Sequence, residues 1–414
     1  MADEQVRLTI SGARPSGQIA LHSRLSMGDG DLWESELVFE ADEHGQVDLA
    51  SAAPISGPYT DPHPMGFLWS MSQTKIPDHT PKPELSLAPP IRVDVGVRGD
   101  EGGHAELTLT RRYLAEGVTR TEVRDRGLIG TLFEPNVARP NPVVISLGGS
   151  EGGLNEPRAA LLASHGFSSL ALAYFGVGHL PPGLREVPLE YFQTAFDYLT
   201  TEGICDPGSI AIEGGSYGGE LVLLLAARFP EVRCTIAHAP SGVLHSSVDV
   251  EGTTEATSAW SIDGRPLPFV QFGADAVDWT KPVISLAPGY RACLEHADDL
   301  GAATIEVENA VGPILMLSGA DDQMWASEDL TNVAVERLRS HGFAHYFEHI
   351  VYEDAGHLAT TAPYVPTNNP SQTHPMVGLE FAFGGTTIGN LRSSEDSWKR
   401  SLELLNATLK PDAS

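Results

Sequence analysis

From about residue 128 onwards, short apolar runs alternate with amphipathic segments, and no other feature of the chain constrains its fold as strongly. The run at 142–147 is almost continuously apolar, as expected of a strand buried in a parallel sheet. Further strands are predicted at 169–174, 209–213, 234–238, 314–318 and 346–351. Helices are predicted between or after them, at 158–165, 189–200, 217–228, 328–340 and 394–409. This alternation predicts an α/β fold with a doubly wound, mostly parallel sheet.

The first 125 residues have a different texture, because apolar and polar residues alternate there with a period of two. The alternation occurs at 5–10, 17–25, 33–41 and 104–113, and it predicts short strands of an antiparallel β-sandwich. A chain of 414 residues is long enough for two domains. We therefore predict a β-sandwich domain at 1–125 and an α/β domain at 126–414. Residues 241–300 follow neither pattern and are interpreted as an insertion or a lid.

The charge and cysteine content of the chain disfavour several classes of protein. The 55 acidic residues outnumber the 26 basic ones, for a net charge of −29. Such a surplus disfavours nucleic-acid or anionic-membrane binding, since both need a positive face.

The three widely spaced cysteines, Cys205, Cys234 and Cys293, indicate a reducing compartment and neither a disulfide framework nor a metal site. The first residues lack a basic and apolar leader and no apolar run reaches about 18 residues, so we predict neither a signal peptide nor a membrane span. We expect a cytoplasmic protein without a membrane span or a cofactor.

The strongest local signal is Gly-Gly-Ser-Tyr-Gly at 214–218, between a predicted strand and a predicted helix. This is the setting of a nucleophile elbow, in which a sharp turn exposes the serine at the edge of the sheet. The same pattern occurs at 148–152, and chain order separates the two. In an α/β-hydrolase the oxyanion loop precedes the nucleophile. The glycine-rich segment 148–153 supplies such a loop for Ser216, whereas Ser150 has no comparable loop before it. We predict an oxyanion hole formed by the backbone amides of Ser150, Glu151 and Tyr217.

Two later strands each lead into a side chain that could complete the site. The predicted strand at 314–318 is followed by Asp321 and Asp322, and either carboxylate could orient a histidine. The predicted strand at 346–351 is followed by His357. Serine, acid and histidine thus occur in the α/β-hydrolase order. We predict Ser216 as the nucleophile, His357 as the general base and then acid, and an aspartate as its orienting partner.

Over almost its whole length, the chain resembles the family of acyl-CoA thioesterases and bile acid-CoA:amino acid N-acyltransferases. The resemblance rests on segments in both halves of the chain, at 42–49, 59–69, 147–153, 158–163, 170–175, 189–192, 214–220, 321–327 and 355–357. It implies an N-terminal β-sandwich joined to an α/β-hydrolase domain. It also implies that Asp322 is the triad acid and that Asp321 is a turn residue.

The resemblance also bears on the reaction, because the amino-acid-conjugating members of that family carry Cys at the nucleophile and the hydrolases carry Ser. Ser216 therefore implies hydrolysis of an acyl thioester such as acyl-CoA. The alternatives are an acyltransferase that uses an amine or alcohol, a carboxylester or lactone hydrolase, and a binding protein on an inactive hydrolase fold. Coenzyme A is anionic, and the candidate cations for it are Arg158, Arg185, Lys399 and Arg400. The C-terminal residues differ from a peroxisomal address, so the location of peroxisomal members is not implied.

Overall fold

The computed structural model describes residues 1–26, 31–75, 90–247, 256–296, 300–357, 363–367, 371–373 and 378–410. Its largest feature is an eight-stranded sheet. The strands are β8 (Thr119–Val123), β9 (Ile129–Glu134), β10 (Val143–Leu147), β11 (Ser168–Ala173), β13 (Ile210–Gly215), β14 (Val232–His238), β17 (Ile314–Gly319) and β18 (Phe347–Tyr352). Their spatial order is β18-β17-β14-β13-β10-β11-β9-β8. All neighbours from β11 to β18 pair in parallel, whereas β9 and β8 are antiparallel.

Helices cover both faces of this sheet. They are α2 (Glu156–Ser164), α3 (Glu190–Thr201), α4 (Tyr217–Arg228), α7 (Ser327–Ser340) and α8 (Thr387–Leu409). Successive strand residues point to opposite faces: Val143 and Ile145 share a core with α3, α4 and α7, while Val144 packs with α2 and α8. The order of the strands and the helices on both faces confirm the predicted α/β-hydrolase fold.

The N-terminal part forms a separate antiparallel sheet. The strands are β2 (Gln18–Leu25), β3 (Leu32–Glu40), β5 (Ser72–Lys75), β6 (Ile91–Gly99) and β7 (His104–Arg111), with β1 (Thr9–Ile10) and β4 (Val47–Asp48) as a separate pair. The spatial order of the sheet is β5-β3-β2-β6-β7. Every second residue of β2 is buried, as predicted for a strand with one covered face. The core against this sheet also contains apolar residues of the short helix α1 (Gly66–Trp69). The predicted boundary at 125/126 lies just after β8, which pairs into the large sheet, and the division into domains stays a prediction.

The described part of the 241–300 segment contributes side chains to the main hydrophobic core. Val243, Trp260 and Tyr290 all pack in the core of α3, α4 and α7. The elements of this region and of the remaining chain are β12 (Val187–Pro188), β15 (Trp260–Ile262), β16 (Arg265–Pro266), α5 (Ala287–His296), α6 (Leu300–Ala303), β19 (Ser371–Thr373) and β20 (Glu380–Ala382). The described residues also form 3-10 turns at Asp125–Gly127, Ala274–Ala276 and Val307–Asn309. Among the described residues, no helix combines the length and apolarity needed to cross a membrane.

Candidate active site

Ser216 lies on a sharp turn between β13, which ends at Gly215, and α4, which begins at Tyr217. Its backbone has φ 58° and ψ −125°, a conformation that L-residues with a side chain rarely adopt. The Ser216 amide donates to the carbonyl of His238 at the end of β14 (2.9 Å). The predicted elbow is therefore present, and it exposes the serine at the carboxyl edge of the parallel strands.

The glycines of the motif are required by close backbone packing. A Cβ on Gly214 would lie 2.5 Å from the Gly218 carbonyl oxygen, and one on Gly218 would lie 2.3 Å from the Gly148 carbonyl oxygen. A Cβ on Gly219 would meet the His238 carbonyl oxygen at 2.7 Å. These contacts leave no room for larger residues, so the motif 214–219 fixes the elbow against β10 and β14.

His357 and Asp322 form a hydrogen-bonded pair beyond two neighbouring strands. The His357 Nδ1 lies 2.9 Å from Asp322 Oδ2, while Asp322 Oδ1 accepts from the amides of Met324 (3.0 Å) and Trp325 (2.9 Å). Burial opposes ionisation of Asp322. The pKa of this carboxyl is nevertheless below its usual value, because the charge of His357 and hydrogen bonds from His357 and the Trp325 amide stabilise the carboxylate. The pair can hold an imidazole in one tautomer and stabilise its protonated form.

The neighbouring carboxylate, Asp321, has a different environment. It is exposed, and its Oδ2 accepts from the amide of Gly385 (2.8 Å) while its Oδ1 accepts from the Gln323 side chain (2.6 Å). Asp321 therefore links two loops, and its assignment as a turn residue stays a prediction. Local sequence reasoning left the two aspartates equivalent, and the structure brings Asp322 to His357.

The glycine-rich loop after β10 lies beside the serine. A Cβ on Gly149 would be 3.3 Å from the Ser216 Cβ, and the buried hydroxyl of Tyr174 donates to the Gly148 carbonyl (2.7 Å). The Gly149 amide donates to the Glu151 carboxylate (2.9 Å). Ser150 and Glu151 line the same cavity as Ser216, and the amide of Tyr217 is the first of α4. The oxyanion hole of Ser150, Glu151 and Tyr217 stays a prediction.

Ser216 and His357 line one cavity of about 500 Å³, together with the glycine-rich loop. Apolar side chains, among them Met324 and Phe383, form part of its wall, and the ring of Phe383 stacks on that of His357 with centroids 5.9 Å apart. Within the described ranges, no group of three or more His, Cys, Asp or Glu side chains is placed to hold a metal ion.

A buried ion pair that sequence reasoning missed also lines this cavity. The Arg158 Nε lies 2.8 and 2.9 Å from the two carboxylate oxygens of Glu213, and the Arg158 Nη2 lies 3.0 Å from His238 Nε2. Since guanidinium only donates, His238 Nε2 accepts. Burial and the charge of Arg158 lower the pKa of His238 to about 4. Ser146 also donates to Glu213 (3.0 Å). The charge of Arg158 is thus already paired.

Two other candidate cations lie on α8 and form ion pairs with neighbouring acids. Arg400 is 2.7 Å from Asp396, and Lys399 is 3.8 Å from Glu403. Their carboxylate partners reduce the positive field that an anionic carrier would meet.

Comparison with known families decides what kind of protein this is. Residues 187–411, more than half of the chain, match the family described as BAAT / acyl-CoA thioester hydrolase C terminal. The chain belongs to this family. Residues 3–125 match the description acyl-CoA thioester hydrolase/BAAT N-terminal region. The resemblance stated from sequence is therefore confirmed, and so is the prediction of an enzyme, a hydrolase or an acyltransferase.

Relatives of both kinds are similar over nearly the full chain. The mouse bile acid-CoA:amino acid N-acyltransferase is 31% identical, over 100% of this chain and 97% of that protein. The human mitochondrial acyl-coenzyme A thioesterase 2 is 31% identical, over 96% of this chain and 80% of that protein. A solved structure, a putative dienelactone hydrolase from Klebsiella pneumoniae, has 15% identity and a TM-score of 0.42, covering 70% of this chain and 97% of that one. A peroxisomal relative from mouse also matches, and the cytoplasmic location of this chain stays a prediction.

Proposed function

We propose that this enzyme hydrolyses acyl thioesters such as acyl-CoA through an acyl-serine intermediate. The observation that carries the proposal is the placement of Ser216, on an elbow, in the same cavity as a His357 that is hydrogen bonded to buried Asp322. Family membership supports the thioester, because thioester hydrolases give the family part of its name. The similarity to two human acyl-coenzyme A thioesterases covers 96% of this chain.

In the proposed reaction, Ser216 Oγ attacks the thioester carbonyl while His357 accepts its proton. Amides of the glycine-rich loop and of Tyr217 stabilise the oxyanion. The C–S bond then breaks, and the leaving thiolate takes the proton from His357. Water attacks the acyl-serine ester, again giving its proton to His357, and this proton returns to Ser216 as the free acid leaves. Asp322 keeps the imidazole oriented throughout.

A fluorophosphonate probe tests the proposed nucleophile. We expect the probe to label Ser216, as located by peptide mapping. An acyl-CoA that the enzyme hydrolyses should slow the labelling, because probe and substrate occupy the same cavity. Labelling of Ser150 instead, or labelling of Ser216 that saturating acyl-CoA does not affect, would contradict the proposal.

The second candidate is an acyltransferase, favoured by the full-length similarity to the N-acyltransferase from mouse. It shares every step up to the acyl-enzyme and differs in the acceptor, which is an amine instead of water. The serine of this chain favours water, because an acyl-serine ester hydrolyses readily, whereas a thioester acyl-enzyme favours attack by an amine.

Exchange of Ser216 for cysteine should therefore shift the products. In the presence of glycine or taurine, we expect the Ser216→Cys variant to release a larger share of N-acyl product than the wild type, at a lower total rate. Mass spectrometry of the products from one acyl-CoA measures both shares, and the Ser150→Cys variant is the matched control. An unchanged share would show that the nucleophile does not select the acceptor.

A further inference from the structure

A buried polar cluster lies directly behind the serine, on the core side of α4. Glu220 is one helical turn after Ser216, and its amide donates to the Ser216 carbonyl (3.0 Å). Its carboxylate is completely buried and accepts from His245 Nδ1 (2.7 Å), the His245 amide (3.3 Å) and Trp260 Nε1 (2.7 Å). All three donors come from the segment 241–300, which sequence reasoning interpreted as an insertion or lid. The carboxylate therefore ties that segment to the first turn of α4.

The imidazole of His245 is enclosed on its other sides by α4, α5 and the loop after β17. Its Nε2 lies 3.7 Å from the Cys293 thiol, and its ring packs against those of Tyr217, Tyr290 and Trp325. Burial opposes protonation of the His245 imidazole. Its hydrogen bonds with Cys293 and Glu220, and the negative charge of Glu220, outweigh burial and raise the pKa of His245 to about 9. The 2.7 Å contact between His245 Nδ1 and the Glu220 carboxylate, together with the raised pKa of His245, favours a buried ion pair.

This cluster contacts both parts of the candidate site. The Tyr217 hydroxyl donates to the Ser246 carbonyl (2.8 Å). This bond fixes the first residue of α4 to the 241–300 segment, hereafter the inserted segment. The ring of Tyr217 packs on that of Trp325, with centroids 4.6 Å apart. The amide of Trp325 donates to Asp322. Buried contacts therefore run without interruption from the serine turn, through Tyr217 and Trp325, to the carboxylate that holds His357.

We propose that the His245–Glu220 ion pair positions the catalytic groups, by holding the inserted segment against the turn of Ser216 and the loop of Asp322. A fully buried ion pair is often no better for stability than apolar packing of the same volume. Its directional bonds do, however, fix one arrangement of α4 relative to Trp325. Neither residue touches the cavity, so the pair acts through Ser216, Tyr217 and Asp322. The inference rests on the proposed function, since it takes these groups as the reacting ones.

The test is the Glu220→Gln variant, which keeps the size of the side chain and removes its charge. We expect kcat to fall by about 10- to 100-fold with KM changed by less than about threefold, because a small displacement of reacting groups lowers the rate of chemistry more than binding. The rate of fluorophosphonate labelling at Ser216 should fall with kcat. Tyr217→Phe is a milder second variant, which removes the hydroxyl that bonds to the Ser246 carbonyl and to Tyr290. We expect kcat to fall by about three- to tenfold.

Asp3→Asn is the matched control. Like Glu220, Asp3 is hydrogen bonded to a histidine and to an indole N–H: its Oδ2 lies 2.5 Å from His165 Nε2 and 3.1 Å from Trp398 Nε1. The Asp3 side chain is 3% exposed. It lies outside the described cavity lining. We expect the control to lower Tm without changing kcat. Normal kcat and labelling in both Glu220→Gln and Tyr217→Phe would overturn the proposal, as would an equal loss of kcat in Asp3→Asn.

The two readouts separate this inference from the proposed function. If wild-type protein labels at Ser216 but releases no free acid from acyl-CoA, the proposed substrate is wrong, and the labelling rates of the variants still test the positioning role. If Ser216 is not labelled in the wild type, the nucleophile and the positioning role are both wrong. In the Glu220→Gln/His245→Gln variant the losses in kcat should be less than additive, because each single change already breaks the same ion pair.

Discussion

Replacing Ser216 by alanine should lower kcat for acyl-CoA hydrolysis by about 10⁴- to 10⁶-fold and leave the protein folded. The change removes the only atom that forms the covalent bond in the proposed mechanism. Ser216 has φ 58°, and alanine can adopt this backbone conformation as well as serine does. The substitution therefore adds no backbone strain to the elbow. Steady-state kinetics with circular dichroism and a thermal melt measure the two effects separately.

Ser150→Ala is the control for that experiment, because Ser150 occupies the second copy of the motif and lines the same cavity. It contributes a backbone amide to the predicted oxyanion hole, and the substitution retains that amide. We expect Ser150→Ala to change kcat by less than about tenfold. An inactive Ser150→Ala beside an active Ser216→Ala would reverse the assignment of nucleophile and oxyanion loop.

The second large effect is expected for Asp322→Asn, which should lower kcat by about 10⁴-fold. Asp322 Oδ1 accepts two backbone amides, so the asparagine carbonyl has to take that position. Its NH₂ group then faces His357 Nδ1, 2.9 Å away in the native pair. Two donors cannot share that position, and the imidazole must adopt the tautomer that cannot accept the serine proton.

Asp321→Asn is the neighbour control for this prediction. Asp321 binds the Gly385 amide and the Gln323 side chain, and an asparagine oxygen can still accept from Gly385. We expect kcat to change by less than about tenfold. Kinetics of both variants at one pH, with Tm as a check on folding, give the ranking. A larger loss in Asp321→Asn would show that the acid has been assigned to the wrong aspartate.

Much of the site could be predicted because its signals are local. Ser216 and His357 each follow a strand in a glycine-containing turn, and chain order separates Ser216 from Ser150. The choice of Asp322 over Asp321 needed the family resemblance, since adjacent residues share one local pattern. In the structure, their different hydrogen bonds distinguish them.

The parts that sequence reasoning missed depend on long-range contacts or on short signals. The Arg158–Glu213 and Glu220–His245 pairs join residues 55 and 25 positions apart, and nothing in either local pattern indicates the partner. Helix α8 was predicted to begin at residue 394 but begins at Thr387. The side chain of the preceding residue, Thr386, accepts from the Gly389 amide and caps the helix. That cap was present in the sequence.

The N-terminal sheet shows the same limits. Strand β6 (Ile91–Gly99) alternates as clearly as the predicted strands but follows a proline-rich stretch, and it was not predicted. The expected strand at 5–10 is reduced to Thr9–Ile10, because only these residues pair, with β4. Strands β8 and β9 lie at the junction of the two sequence textures, where neither pattern indicated a strand in the large sheet.

Product analysis with a panel of acyl-CoAs, with and without glycine and taurine, shows whether water is the acyl acceptor. We expect free acid and coenzyme A in equal amounts from the wild type, with a yield that the amines do not change. The Ser216→Ala protein should give neither product above background. Conversion of the acyl group to N-acyl glycine or taurine by the wild type would contradict this expectation and identify the enzyme as an acyltransferase despite its serine.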